Sequence, residues 1–142
     1  MRRIITGITA EGRSRVESII EIDPQLKPGD VDVAFLWATD TCPPEVPIAR
    51  PATPPLLDMG MAPGATRWMV IRMGPGYEHP DHRTDSIDWD LVIEGQADLI
   101  LDTETVTLIP GDCAVLPGVA HQWRAGPQGC TLSIAMLGLE PL

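Results

Sequence analysis

The sequence is short of basic residues, of pairable cysteines and of long apolar runs. Only 10 of its 142 residues are Lys or Arg, against 20 Asp or Glu, and the formal net charge is -10. A phosphate-backbone partner needs clustered cations, so nucleic-acid binding is not expected. The three cysteines, Cys42, Cys113 and Cys130, are odd in number and scattered, with no CxxC pair. They read as core thiols, not as a disulfide framework. Met1-Arg2-Arg3 could open a signal peptide, but Ile4-Ile5 gives way at once to Thr6-Gly7 and then to charge. That leaves no apolar segment for a leader, and nothing approaches the roughly 18 apolar residues of a membrane span. The expectation is a cytoplasmic protein with no membrane partner. Internal repeats and low-complexity tails are also missing.

What is present points to strands. Hydrophobic residues make up 44% of the chain, too many for a disordered one. A chain of this length forms one domain, here taken as 1–142, and can bury roughly 70% of its unfolded surface. The 15 prolines and 13 glycines are spread through it, which disfavours a helical bundle. Residues 13–22 fit either a helix, through Val16, Ile19 and Ile20, or an alternating strand, through Val16, Ser18, Ile20 and Ile22. VDVAFLWA (31–38) is apolar and β-branched, and reads as a buried strand. Residues 42–63 hold seven prolines, so this segment is a surface loop or a lid.

From residue 65 onward the rhythm is regular. RWMVIRM (67–73), DWDLVI (88–93), ADLIL (97–101), ETVTLI (104–109), DCAVL (112–116), HQWRA (121–125) and TLSIAML (131–137) are strand-like. Turn residues separate them: Gly74-Pro75-Gly76, Glu94-Gly95, Asp102-Thr103, Pro110-Gly111, Pro117-Gly118 and Gly126 to Gly129. Short strands at this spacing mean an all-β sandwich or barrel.

The three histidines, His79, His82 and His121, all fall in the second half. Two of them lie in the carboxylate-dense stretch EHPDHRTDSIDWD (78–90). Imidazoles and carboxylates drawn from separate strands are what a divalent metal site requires.

The spacing resembles the cupin superfamily. Gly76 is followed by five residues to His82, Thr84 stands where that pattern has a second His, Asp88 stands at its Glu, and Gly95 comes six residues later. Gly111-Asp112, the Pro117-Gly118 turn and His121 are similar to the second cupin motif, one residue shorter and with Ala125 in place of the closing Asn. HRTDSIDW (82–89), PGDCAVLPGVAHQW (110–123) and RRIITGITAEGRS (2–14) are similar to a group of small bacterial and fungal cupins. The resemblance implies a jelly-roll barrel of roughly six to eight strands. It puts His82 and Thr84 on one strand, Asp88 at the head of the next and His121 on a later one, all facing the cavity. Strand alternation independently places residues 82 and 84 on one face, and adds Asp90, Val92 and Glu94 to the face of Asp88 and Trp123 to that of His121.

His82, Asp88 and His121 are therefore the candidate metal ligands, in a site that would suit Fe, Zn or Mn. A Thr hydroxyl is a poor ligand for such a metal, so the alternative is a metal-free barrel whose polar groups only hydrogen-bond. Asp90 would add a second carboxylate, sharing a proton with Asp88. Asp88, Asp90 and His121 then form a candidate acid-base set that works without metal. Thr84 and Trp123 are candidate substrate-binding residues. His79 reads as a surface loop residue, Trp89 as pointing away from the cavity, and Arg83 and Arg124 as solvated. The implied function is binding of a small organic molecule. Its metal-dependent form acts on a carbonyl, carboxylate or phenolic substrate, by dioxygenase, decarboxylase, isomerase or lyase chemistry. A non-catalytic ligand-binding barrel is the alternative. Cupin analogy further implies a homodimer, with VDVAFLWA at its contact.

Overall fold

A computed structural model describes residues 2–9, 13–23, 25–27, 31–40 and 60–140. The expected loop or lid at 42–63 therefore lies outside the described residues up to residue 59, and the cysteine at 42 with it. The elements are β1 (Arg2–Ile8), β2 (Ser14–Glu21), β3 (Gln25–Lys27), β4 (Val31–Thr39), β5 (Thr66–Met73), β6 (Glu78–His82), β7 (Ser86–Ile100), β8 (Thr105–Leu108), β9 (Cys113–Pro117) and β10 (His121–Gly138). Every regular element among them is a strand, as expected of an all-β jelly roll. No helix of the described residues is long and apolar enough to cross a membrane. The ambiguous 13–22 segment resolves as β2, paired antiparallel with β1 in a sheet of its own. Pairing with β1 satisfies the backbone groups along one edge of β2, and Val16, Ile19 and Ile20 stay exposed.

The remaining strands form one eight-stranded sheet in the order β3-β4-β5-β10-β7-β8, with β6 on β10 and β9 on β7. Two long strands give it its shape. The first half of β7 pairs with β9 and its second half with β8. The first half of β10 pairs with β6 and its second half with β5. Each long strand thus belongs to both walls, which is how a jelly roll turns its corners.

The sequence breaks expected at Glu94-Gly95 and at Gly126 to Gly129 are bends inside continuous strands. Gly95 has φ 74°, and a Cβ built there would lie 2.1 Å from the Gly129 carbonyl oxygen. The two long strands cross so closely at this corner that only glycine fits. The register between β7 and β10 slips from Ala125 to Cys130 at the same place. Turn chemistry is therefore present, but it bends the strands without ending them.

The core lies between the walls. Met69, Leu132, Val33 and Val92 are its largest fully buried apolar side chains. Each contributes roughly 1.5–3 kcal/mol through removal from water. Val31, Val33, Ala34, Leu36 and Ala38 of β4 are all buried within the single chain. Exposed apolar side chains elsewhere include Trp68, Trp89, Leu91, Ile93 and Val115.

Candidate functional site

β7 supplies the acidic wall of the site. Its residues alternate, with Ser86, Asp88, Asp90 and Val92 buried and Trp89, Leu91 and Ile93 exposed. Asp88 and Asp90 therefore share the inner face, as strand periodicity predicts. The alternation ends at a bulge, where Glu94 and Val92 sit opposite the adjacent Thr131 and Leu132. The extra residue turns Glu94 outward, away from the face on which simple alternation puts it. Trp89 points outward as expected.

β10 supplies the opposite wall. His121 and Trp123 are 3% and 4% exposed. His82 closes β6 and pairs directly with His121, and the two rings lie 4.3 Å apart between centroids. His82, Asp88, Asp90, His121, Thr84 and Trp123 all line one cavity of about 530 Å³. That volume suits a small organic ligand. Its apolar side includes Met61, Met69, Ile134 and Met136. Gly60 and Met61 bring the last turn of the proline-rich stretch to the cavity. A second cleft, about 340 Å³, is bounded by Arg72, Gly74, Glu94 and Gly129 and shares no residue with the first.

Two placements differ from the sequence reading. Thr84 is not on a strand with His82, because β6 ends at His82 and residues 83–85 form the bend into β7. The threonine still reaches the cavity from that bend. His79 is not a surface loop residue: it lies within β6, half-buried, and lines the same cavity. Its ring is 4.4 Å from that of His82. Ser86, which the motif comparison passed over, is fully buried and donates to Asp88 Oδ1 at 2.5 Å. Its oxygen also lies 3.0 Å from Thr84 Oγ1. Parity with Asp88 was the signal that could have found it. Arg83 stands at the rim, 3.8 Å from Asp85, and Arg124 points outward onto Asp98 at 2.7 Å.

The electrostatics follow from burial. Desolvation pushes the Asp88 carboxyl above its ordinary range, opposed by the Ser86 hydrogen bond and then by the His121 and His82 imidazoles. Asp90 is pushed up to about 8, first by desolvation and then by the neighbouring Asp88 charge. Its Oδ1 is buried without a hydrogen-bond partner among the described residues. Desolvation lowers His121 below its usual value, which favours the neutral ring.

The tautomers are set by the backbone. His82 Nδ1 lies 3.1 Å from the Pro80 carbonyl and His121 Nδ1 lies 3.0 Å from the Val119 carbonyl. A carbonyl can only accept, so each Nδ1 carries a proton, and in the neutral ring Nε2 keeps its lone pair. In metal sites generally, a ligating histidine is oriented by such a bond from its other ring nitrogen. The donor types, imidazole nitrogen and carboxylate oxygen, fit a first-row divalent ion. Among the described residues no three such donors are grouped closely enough to hold a metal ion.

Comparison with known proteins bears on the fold. No family model matches the chain. The chain is 40% identical over 74 residues to phomopsin biosynthesis cluster protein C' of Diaporthe leptostromiformis, a stretch that covers 51% of this chain and 38% of that protein. It is 42% identical over 55 residues to a Neurospora crassa protein named a cupin-domain-containing oxidoreductase, covering 38% of this chain and 28% of that one. The matches thus span well under half the length of either relative. An RmlC-like cupin from Shewanella frigidimarina superposes with a TM-score of 0.57 at 14% identity, over 82% of this chain and 83% of the other. With its strands wound into two walls around a histidine-lined cavity, the chain has the fold of a small cupin domain.

Proposed function

We propose that the protein is a metal-dependent cupin enzyme of oxidoreductase type, acting on a small organic molecule with a carbonyl, carboxylate or phenolic oxygen. The observation that carries this reading is the pair of imidazoles, His82 and His121, each with Nδ1 tied to a backbone carbonyl and Nε2 left as a lone-pair donor. His82, His121 and Asp88 would hold the ion, with Fe, Zn or Mn as suitable metals. A bound metal would supply Lewis acidity or oxygen activation. The relatives named as oxidoreductases support the reaction class.

The chain's own residues do the rest. Trp123, Met69, Ile134 and Met136 form an apolar wall against which the body of the substrate would pack. The Thr84 hydroxyl, at the bend into β7, would hydrogen-bond the substrate's oxygen. Ser86 holds the Asp88 carboxylate in one orientation. Asp90 keeps a buried oxygen available for a hydrogen bond.

The test is metal analysis of the full chain purified without a His tag. The proposal expects near-stoichiometric metal in the wild type and its loss in His82→Ala with His121→Ala. Substoichiometric metal, unchanged by those substitutions, would refute it. The placement of Asp88, Asp90 and His121 around one cavity favours a second reading, metal-free acid-base catalysis. That reading expects a bell-shaped pH-rate profile unaffected by chelator. A cytoplasmic homodimer is part of the proposal. Its contact would lie at β4, where Phe35 and Trp37 stay half-buried, or at the exposed apolar residues around Trp89. Light scattering that reports a monomer near 15.4 kDa would end that part.

A further inference from the structure

β7 carries a second carboxyl that the metal centre does not use. The inward-facing residues of this part of the strand run Ser86, Asp88, Asp90 and Val92. Asp88 takes the Ser86 hydroxyl and lies in the field of the His121 and His82 imidazoles. Asp90 has no such company. Its register partner on β10 is Ile134, which pairs in turn with Met69 of β5. The next inward row, Val92, Leu132 and Ile71, is wholly apolar. Asp90 is 4% exposed, lines the cavity, and leaves Oδ1 without a hydrogen-bond partner among the described residues. A buried acceptor left unpaired is costly, so a carboxyl kept in such surroundings calls for a partner that arrives from the cavity.

Resting on the substrate reading above, we infer that Asp90 is the specificity-determining residue of the cavity: it takes a hydroxyl group on an apolar, ring-sized body, at a point remote from the imidazoles. Chemistry separates this group from the other candidates. A hydroxyl suits the carboxyl in either form, donating to a carboxylate oxygen or exchanging a pair of bonds with a protonated acid. A carbonyl or ether oxygen can only accept, which serves the protonated form alone. A carboxylate would meet two acids, and Arg83, the one Arg or Lys among the described residues lining the cavity, stands at the exposed rim beside Asp85. An ammonium would be stripped of water against Ile134 and Met69. The body that carries the hydroxyl packs on Trp123, Met69, Met136 and Ile134, and both indole and methionine sulfur favour a ring. The substrate class is then a phenol or an aryl alcohol whose hydroxyl is not the oxygen presented to the metal centre.

The experiment is calorimetric titration of the untagged full chain, both chelator-treated and zinc-loaded, with benzyl alcohols that differ only at the para position: hydroxyl, methyl, carboxylate or aminomethyl. The inference expects the wild type to bind the hydroxyl probe roughly tenfold or more tighter than the methyl probe, and both charged probes more weakly than the hydroxyl probe. Asp90→Leu, which keeps the bulk and removes both oxygens, should reverse the order of the hydroxyl and methyl probes. Asp90→Asn, whose amide still donates and accepts, should keep that order. Asp90→Val replaces the leucine variant if that one loses its far-ultraviolet dichroism. Thr84→Val removes a contact that the hydroxyl and methyl probes share, so the ratio of their affinities should not move. Equal affinity for these two probes in the wild type would mean that water satisfies Asp90, and it overturns the inference. So does a preference that survives in Asp90→Leu, tighter binding of either charged probe, or no binding of any probe. Metal analysis separates this from the reading it rests on. Discrimination that persists in a chain holding no metal leaves Asp90 in its role and ends the metal centre, and a metal-holding chain without discrimination does the reverse.

Discussion

Replacing Asp90 with asparagine should change how stability depends on pH, not only its level. The carboxyl is 4% exposed, and burial together with the Asp88 charge raises it from 3.8 to about 8. The sign follows from linkage. Between the unfolded and folded values the native protein keeps a proton that the unfolded chain has released. That stabilisation is complete below about pH 4 and is lost progressively as pH rises to about 8. Asparagine, a neutral group of the same shape, takes no part in this titration. In chelator-treated protein, wild type should therefore lose stability relative to D90N by up to about 1.4 kcal/mol per pH unit between pH 5 and 7. Across that window the gap opens by about 3 kcal/mol at most, because water entry and relaxation reduce the penalty of burial. Urea unfolding at half-unit pH steps, with both proteins in the same buffers, measures the gap directly. Titrating groups not coupled to Asp90 cancel in the difference, and Asp88, whose charge acts on Asp90, is the one that does not. Parallel stability curves from pH 5 to 8 would refute the reasoning, as would a gap that narrows as pH rises.

Three further outcomes follow from contacts in the structure. Ser86→Ala leaves a buried carboxylate oxygen without its donor and should cost about 1–3 kcal/mol in urea unfolding, with any metal affinity reduced as well. Gly95→Ala places a Cβ 2.1 Å from the Gly129 carbonyl at φ 74° and should lower the free energy of unfolding by well over the roughly 1–2 kcal/mol of the left-handed backbone alone. Trp123→Ala removes a buried aromatic from the cavity wall and should cost about 3–5 kcal/mol, with weaker binding of aromatic probes by calorimetry. A Trp123→Ala protein as stable as wild type would mean that the ring is not packed as described.

Much of the site was legible because strands alternate. Asp88, Asp90 and Val92 share one face, His121 and Trp123 another, and both assignments needed only parity. The fold was legible from turn residues at regular intervals and from the two motif spacings. What escaped depended on departures from regular strand geometry. One extra residue near Pro80 carries His79 inward, and another near Ile93 carries Glu94 outward. A bulge leaves no periodic trace in a sequence, because it is defined by the partner strand. The same holds for Gly95 and for Gly126 to Gly129, which read as turns and are bends at the crossing of β7 and β10. Thr84 lines the cavity although its backbone lies outside β6, so strand alternation accounts for its placement only in part. Residues 13–22 could not be decided from apolar spacing, since three isoleucines and a valine satisfy both periods.

The central claim is that imidazoles from β6 and β10 bind one metal ion. X-ray absorption fine structure of the zinc-loaded full chain tests it most directly. The account predicts a first shell of nitrogen and oxygen at about 2.0–2.1 Å, with the outer-shell scattering of at least two imidazole rings. A shell of light atoms with no imidazole scattering, identical in wild type and in His82→Ala with His121→Ala, would contradict it.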